Sequence, residues 1–460
     1  MAEPNTIKIL EISNVTPRPT ESPDPVDTEF SLSLTFLDIF CLKFPPIECL
    51  FFYPLIESNS SISFIISRLI HALSLTLHHF LPLAGNLCWP SNSPKPIILY
   101  NPGDAVSLTI AESSADFDHL STNHVREAEE CRPLVPCLRI NEKTASTMAT
   151  QITIFPKRGF CIAITAHHAV LDGKSSALFM KSWAYICREN SSLLPPELSP
   201  FFDRSVVKDP NGLDVLYINR WLEKSNSTPG INPRIFDFWY KTEEKSDLVR
   251  GTFELTRDEI EKIRKWVLNR LDKKEQSKLQ LSMFVLTCSY VLTCMVKATI
   301  GDFDRKIYFI LNADYRSRLD PPVPDNYFGN CIGSQLVPIQ AREVVEEDGL
   351  AITAAKITCS IKCLKEAGVL EGAEKRLSRF GSLEPGAQVI AASWSPRFGD
   401  YGIDFGWGRP RKVEIASINT KAISLVESRD GTGGVEVGLV LKKSEMDIFA
   451  SIFKTNLYNM

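Results

Sequence analysis

Apolar residues recur along this chain with two periods, and the switches between them mark its elements. Over residues 62–80, Ile66, Leu69, Leu73, Leu77 and Phe80 fall at spacings of three and four, one face of an amphipathic helix. Pro82 and Gly85, in LPLAGN, close that helix. Residues 159–166, GFCIAITA, form a short apolar run with β-branched members, the pattern of a buried strand. Over 175–188, Leu178, Phe179, Trp183 and Ile186 make the inner stripe of another helix. From Glu189 to Gly212 the period is lost among Pro195, Pro196, Pro200, Pro210 and several serines, which predicts a long crossover between two domains.

The second half opens with a strand at Val249–Leu255. Thr256 and Glu259 then form a T-x-x-E capping box, and Ile260, Ile263 and Val267 face inward on the helix it starts. Residues 281–297 are apolar all round and predict a buried helix. A strand at Lys306–Ala313, a helix over 350–365, a strand at Val435–Leu441 and a closing helix capped by Ser444 follow. Strands and helices are mixed throughout, without internal repeats. The expected fold is α/β, with domains at 1–190 and 226–460 joined by a crossover loop at 191–225.

At 460 residues the chain is too long for one ordinary core. Hydrophobic residues make up 44% and charged residues 23%, ordinary values for a soluble globular protein. The net charge of −4 carries no nucleic-acid footprint, so an anionic ligand must be met by local basic residues. None of the 12 cysteines has C-x-x-C spacing, which argues against a zinc motif and for a reducing compartment. The N-terminus MAEPNTIKILE lacks the layout of a signal peptide. Asp38, Lys43, Pro45, Pro46 and Glu48 break up the apolar stretch from Phe30 to Leu55, so it does not read as a membrane span. The expected location is cytoplasmic.

Candidate chemistry concentrates in ITAHHAVLDGKSS, residues 164–176. A buried strand runs out, two histidines follow, and Gly173 permits a tight turn before the next helix. Imidazole, with an unperturbed pKa near 6.5, accepts a proton at neutral pH. As a bare pattern, His168-x-x-x-Asp172 is weak, and an ordinary hydrogen-bonded loop histidine is the commoner explanation. No third ligand accompanies the pair at a metal-site spacing, so no metal is expected. A second segment, IDFGWGRP (403–410), reads as a tightly turned, aromatic-anchored loop and matches no nucleotide-binding pattern. A third, NADYRSRLDPPVPDNYFGNCIG (312–333), leaves a strand with two arginines and enters a proline-rich turn.

Together these segments resemble the BAHD acyltransferase family. HHAVLDG (167–173) matches its H-x-x-x-D-G motif and DFGWG (404–408) its second hallmark. YFGNC (327–331) is similar to the form found in its anthocyanin and phenolic-glucoside acyltransferase branch. LPLAGN (81–86), DPNG (209–212) and VRGTF (249–253) are further echoes, and the likeness spans essentially the whole chain.

The resemblance implies two chloramphenicol acetyltransferase-like domains, each a mixed β-sheet with flanking helices, and an active-site channel between them. Acyl-CoA would enter as co-substrate from one face and a hydroxylated acceptor from the other, with no bound cofactor, no nucleic acid and no membrane partner, in a monomer. His168 would be the general base. Asp172 would give structural support by pairing with Arg316. Asp404 and Trp407 would shape the CoA channel and the domain packing. Ser393, followed by Trp394, occupies a stretch where relatives bind the oxyanion, with a solvated loop serine as the plain alternative.

For CoA, Lys278 and Ser282 flank the start of the apolar helix, where a helix N-terminus suits phosphate. A simple cap with a solvated lysine competes with that reading. Lys174 would meet a carboxylate at the acyl terminus, or stay solvated. The branch usually carries Trp where Cys41 stands, and a basic residue where Cys49 stands, so a smaller side chain at 41 would widen the acceptor pocket. The implied reaction moves an acyl group, malonyl in this branch, from CoA to a sugar hydroxyl of a phenolic or flavonoid glucoside. Alternatives are a hydroxycinnamoyl donor on similar acceptors, a Cys or Ser hydrolase, and a non-catalytic ligand-binding relative. No G-x-S-x-G supports the hydrolase.

Overall fold

The computed structural model describes residues 7–19, 27–55, 61–226, 234, 236, 247–271, 279–299, 301 and 303–460. Three sheets organise them. The first orders its strands Ile7–Val15, Val106–Ser113, Met148–Phe155, Gly159–Ala166, Ile47–Pro54 and Lys412–Ile415. The second orders Ile332–Gln340, Lys306–Asp314, Gln388–Ser393, Ala422–Glu427, Val435–Lys442, Leu248–Leu255 and Arg126–Glu127. A smaller sheet joins Phe30–Ser33, Ile97–Tyr100, Asn86–Cys88 and Thr144–Ser146. The fold is thus mixed α/β.

Local sequence explains most elements. The helix Ile62–His79 starts where the Ser61 hydroxyl accepts from Phe64 N. It packs against the helix Gly173–Glu189, with the Trp183 indole donating to Leu69 O at 3.1 Å. The capping box of Thr256 and Glu259 opens the helix Arg257–Asn269. In the helix Met283–Ala298 thirteen residues are buried, so a nearly all-apolar surface meets the core on most sides.

Three elements depart from the expectation. The crossover at 191–225 ends in a helix, Leu213–Asn226. Asp209 starts it, its carboxylate accepting from Leu213 N at 2.8 Å and Asp214 N at 2.9 Å, and Leu213, Tyr217 and Trp221 bury one face. Pro82 sits at the start of a short helix, Leu81–Ala84, rather than only closing the preceding one. Ser444 is not the cap of the closing helix Lys443–Asn459, because the strand Val435–Lys442 runs directly into it with Lys442 at the cap position.

The two large sheets also exchange strands across the sequence boundary. Lys412–Ile415, from the C-terminal half, pairs antiparallel with Ile47–Pro54, and Arg126–Glu127 pairs with Leu248–Leu255. A division at 226 therefore does not follow the sheets. A buried charge network lies at this exchange. Arg126 donates to Glu414 at 2.5 Å, and Arg250 donates to the other oxygen of Glu414 at 2.9 Å. Lys412 reaches Glu436 at 3.0 Å, and Tyr401 donates to the same carboxylate at 2.8 Å. Burial alone would raise the Glu414 carboxyl, but Arg126, Arg250 and Lys412 outweigh it and hold the pKa at about 2.

This depression sets the sign of a pH effect. A carboxyl whose folded pKa lies below its unfolded value of about 4.3 stabilises fully above that value, and its contribution is lost as pH falls towards the folded one. Glu414→Ala should cost about 3–5 kcal/mol, because two buried guanidiniums lose their partner. Denaturant unfolding at pH 7 and pH 3 checks this: the difference between parent and variant should shrink at the lower pH.

Candidate active site

The strand Gly159–Ala166 delivers the two histidines, and the turn that follows separates them. His167 is fully buried, accepts from Ala169 N through Nδ1 at 3.2 Å, and has its pKa pushed down to about 3 by burial and by His168. It is a core residue. His168 lies on the wall of a cavity of about 2300 Å³. Phe44 meets its ring edge-on at 5.9 Å. Burial lowers its pKa from the ordinary 6.5, against weaker opposing effects from its own backbone, Asp172 and Asn330. The imidazole is therefore neutral at pH 7, as a proton acceptor requires. Its Nδ1 is closed off from solvent, which leaves Nε2 as the nitrogen for cavity chemistry.

Asp172 faces away from this chemistry. It caps the helix Gly173–Glu189, accepting from Ser175 N at 2.9 Å, and also accepts from Cys331 N at 3.0 Å. Arg316 grips it through two donors, Nη1 to Oδ2 at 2.9 Å and Nη2 to Oδ1 at 3.1 Å. Burial alone would raise the Asp172 carboxyl; the guanidinium and the two backbone N–H groups hold it below the usual range. Arg316 also donates to the carbonyls of Tyr327 at 3.0 Å and Gly329 at 3.2 Å. The YFGNC segment thus closes on the histidine turn. Gly329 has φ 150°, and a Cβ there would fall 1.7 Å from Arg204 Nη1, so a larger residue would be strained and would displace the Arg204 guanidinium.

Three residues that the sequence does not single out, Thr35, Asp38 and Arg204, complete this support together with Asn330 of YFGNC. Asp38 is fully buried and accepts from the Thr35 hydroxyl at 2.8 Å and from Asn330 N at 2.9 Å. Asn330 donates in turn to the carbonyl of His168 at 2.7 Å. Arg204 lies 3.6 Å from Asp38 and donates to the Tyr327 hydroxyl at 2.5 Å. The available signal was a charged residue inside an apolar run, TFLDIF, three positions after a threonine.

The remaining candidates divide. Lys174 lines the cavity, yet its ammonium is already met by Asp325 and, at 3.4 Å, by Asp314. Ser282 lines it too and caps the helix Met283–Ala298, accepting from Val285 N. Lys278 lies outside the described residues. Ser393 ends the strand Gln388–Ser393 on the cavity wall. Trp394 lines the cavity too, and its indole donates to Asp400 at 2.5 Å.

Asp404 and Trp407 are not among the residues lining the cavity. Asp404 accepts from Gly406 N at 2.8 Å and Gly408 N at 3.0 Å, and Phe405 packs against Tyr53 and Trp183 of the N-terminal half. The loop pins one half to the other. Cys41 is fully buried and is likewise not among the lining residues, and Cys49 is buried as well.

Among the described residues, ten basic and four acidic side chains line the cavity, in a chain whose net charge is −4. The field there is locally positive and suits an anionic ligand. No helix of the described residues is long and apolar enough to cross a membrane.

This arrangement has counterparts. The sequence profile of the Transferase family matches residues 15–456. Phenolic glucoside malonyltransferase 1 of Arabidopsis thaliana is 41% identical, over 99% of this chain and 98% of its own. The malonyl-CoA:anthocyanidin 5-O-glucoside-6''-O-malonyltransferase of the same plant is 41% identical, over 98% and 99%. The crystal structure of vinorine synthase superposes with a TM-score of 0.71 at 20% identity, covering 96% of each chain, and shares the fold.

The Asp172–Arg316 pair can be probed directly. Asp172→Ala leaves a buried guanidinium uncompensated and should lower stability by about 3–5 kcal/mol, measured by denaturant unfolding. Asp404→Ala, away from the cavity, should reduce stability without moving the acid limb of a pH–rate profile.

Proposed function

Because this chain belongs to the BAHD transferase family, we propose that it transfers a malonyl group from coenzyme A to a sugar hydroxyl of a phenolic or flavonoid glucoside. The observation that carries the reading is a neutral His168 on the wall of a large, locally basic cavity framed by both halves of the chain. The relatives named above supply the donor and acceptor classes.

In this mechanism the acceptor hydroxyl gives its proton to His168 Nε2 as its oxygen attacks the thioester carbonyl. The tetrahedral intermediate places negative charge on the former carbonyl oxygen, and Ser393 is the nearby hydroxyl candidate to meet it. Collapse breaks the C–S bond, and the imidazolium returns its proton to the departing thiolate. Asp172, Arg316, Asp38 and Asn330 hold the turn and touch no reacting atom. The basic side chains of the lining, with the helix start at Ser282, receive the phosphates of CoA, and acyl-CoA comes and goes as a co-substrate. The cavity is complete within one chain, in keeping with a monomer. Twelve unpaired cysteines suit the reducing cytoplasm.

His168→Ala should lower kcat by about 10²–10⁴-fold, measured with malonyl-CoA and nitrophenyl glucoside and accompanied by an unchanged unfolding midpoint. In the parent protein, kcat/KM should fall as pH drops through a value below 6.5, since protonation removes the base. Use of coumaroyl-CoA with malonyl-CoA ignored would overturn the malonyl assignment.

A further inference from the structure

Trp394 stands in a backbone conformation that bulky L residues rarely adopt, with φ 68°. Three contacts hold it there. Its Nε1 donates to Asp400 Oδ2 at 2.5 Å. Phe398 meets the indole edge-on at 5.4 Å. Both rings press on Gly173, the first residue of the helix after Asp172, where a Cβ would fall 2.8 Å from Phe398 Cε2 and 3.1 Å from Trp394 Cε3. Both rings also line the cavity that holds His168. The indole therefore forms part of the wall of that cavity, packed against the first residue of the helix that follows the catalytic turn.

Asp400 is fully buried, and its Oδ1 has no hydrogen-bond partner. The groups that face it come from three elements: Glu427 on the strand Ala422–Glu427, Lys181 on the helix Gly173–Glu189, and Cys49 and Tyr53 on the strand Ile47–Pro54. Burial pushes the Asp400 carboxyl up to about 7; the indole hydrogen bond and Lys181 act against this, and Glu427 adds to it. The Glu427 carboxyl is itself raised, chiefly by burial, and keeps one buried oxygen unpaired. A buried carboxylate held beside another acid, with a single side-chain donor, is an expensive way to fix one tryptophan. Its use here points to a role for the indole's position.

We propose that Trp394 is a specificity-determining wall that limits the acyl group beside His168 to small ones, and that Asp400 is the positioning residue that fixes the indole. The inference rests on the acyl-transfer reading. Ionised Asp400 accepts the indole N–H more strongly than its neutral form does. The wall therefore tightens as pH rises through neutrality and loosens below it.

The test compares kcat/KM for coumaroyl-CoA and malonyl-CoA, with nitrophenyl glucoside as acceptor, across pH 6 to about 8, a window that brackets the buried carboxyl. Trp394→Gly should raise the coumaroyl-to-malonyl ratio by about tenfold or more, the scale of discrimination that pocket volume supplies. Asp400→Ala should shift it the same way, and Asp400→Asn, which keeps an acceptor for the indole, should restore it. The parent ratio should fall with rising pH, and the ratio of Asp400→Asn should stay flat.

A ratio unmoved in folded Trp394→Gly overturns the proposal. Should that variant not fold, Trp394→Phe serves instead: it keeps a ring, loses the N–H, and should lose the pH dependence, which if retained overturns the Asp400 role. Absence of turnover with either donor in the parent protein sinks the transfer reading and this inference together, a result distinct from turnover with an unmoved ratio.

Discussion

Arg316 is a fully buried guanidinium, and the site is built around meeting its charge. Its donors reach Asp172, Asp314, the Ser175 hydroxyl and the carbonyls of Tyr327 and Gly329. Each partner is tied elsewhere: Asp172 caps the helix behind it and accepts from Cys331 N, while the 327–331 segment reaches the carbonyl of His168 through Asn330. Breaking such a buried pair on one side leaves an unpaired charge in a medium that solvates it poorly. The arrangement is therefore close to all-or-none, and the histidine turn has little freedom to drift from it.

Around that anchor, two electrostatic environments divide the adjacent histidines. His167, with burial at its greatest, is held neutral far below any working pH. His168 is also neutral, yet it faces a cavity whose lining is basic. The basic surround favours an anionic substrate, while burial keeps the imidazole unprotonated.

The cavity needs both halves of the chain in register, and the strand exchange secures this. Lys412–Ile415 crosses to the first sheet directly after DFGWG, whose Phe405 is held between Tyr53 and Trp183. Glu414 on that strand satisfies Arg126 and Arg250. The second hallmark motif is thus a clamp between halves, the domain-packing part of what the family resemblance implied for it.

Periodicity and turn chemistry made most helices and strands legible in the sequence, because they are local consequences of side-chain spacing. The helix Leu213–Asn226 escaped because a proline- and serine-rich approach masked a valid apolar stripe. Motif residues were likewise legible as candidates: His168, Asp172, Arg316 and YFGNC stand out by type and spacing. Spacing alone could not supply the pairing of Asp172 with Arg316, which lie 144 positions apart; the family resemblance supplied it. Only tertiary structure placed Asp38 beneath the histidine turn, left Cys41 off the cavity wall, and gave Lys174 two carboxylate partners. Local order follows from the chemistry of neighbours in the chain. Which charges meet, and which side chains face the cavity, depends on burial among residues distant in sequence, and that is decided only when the sheets close.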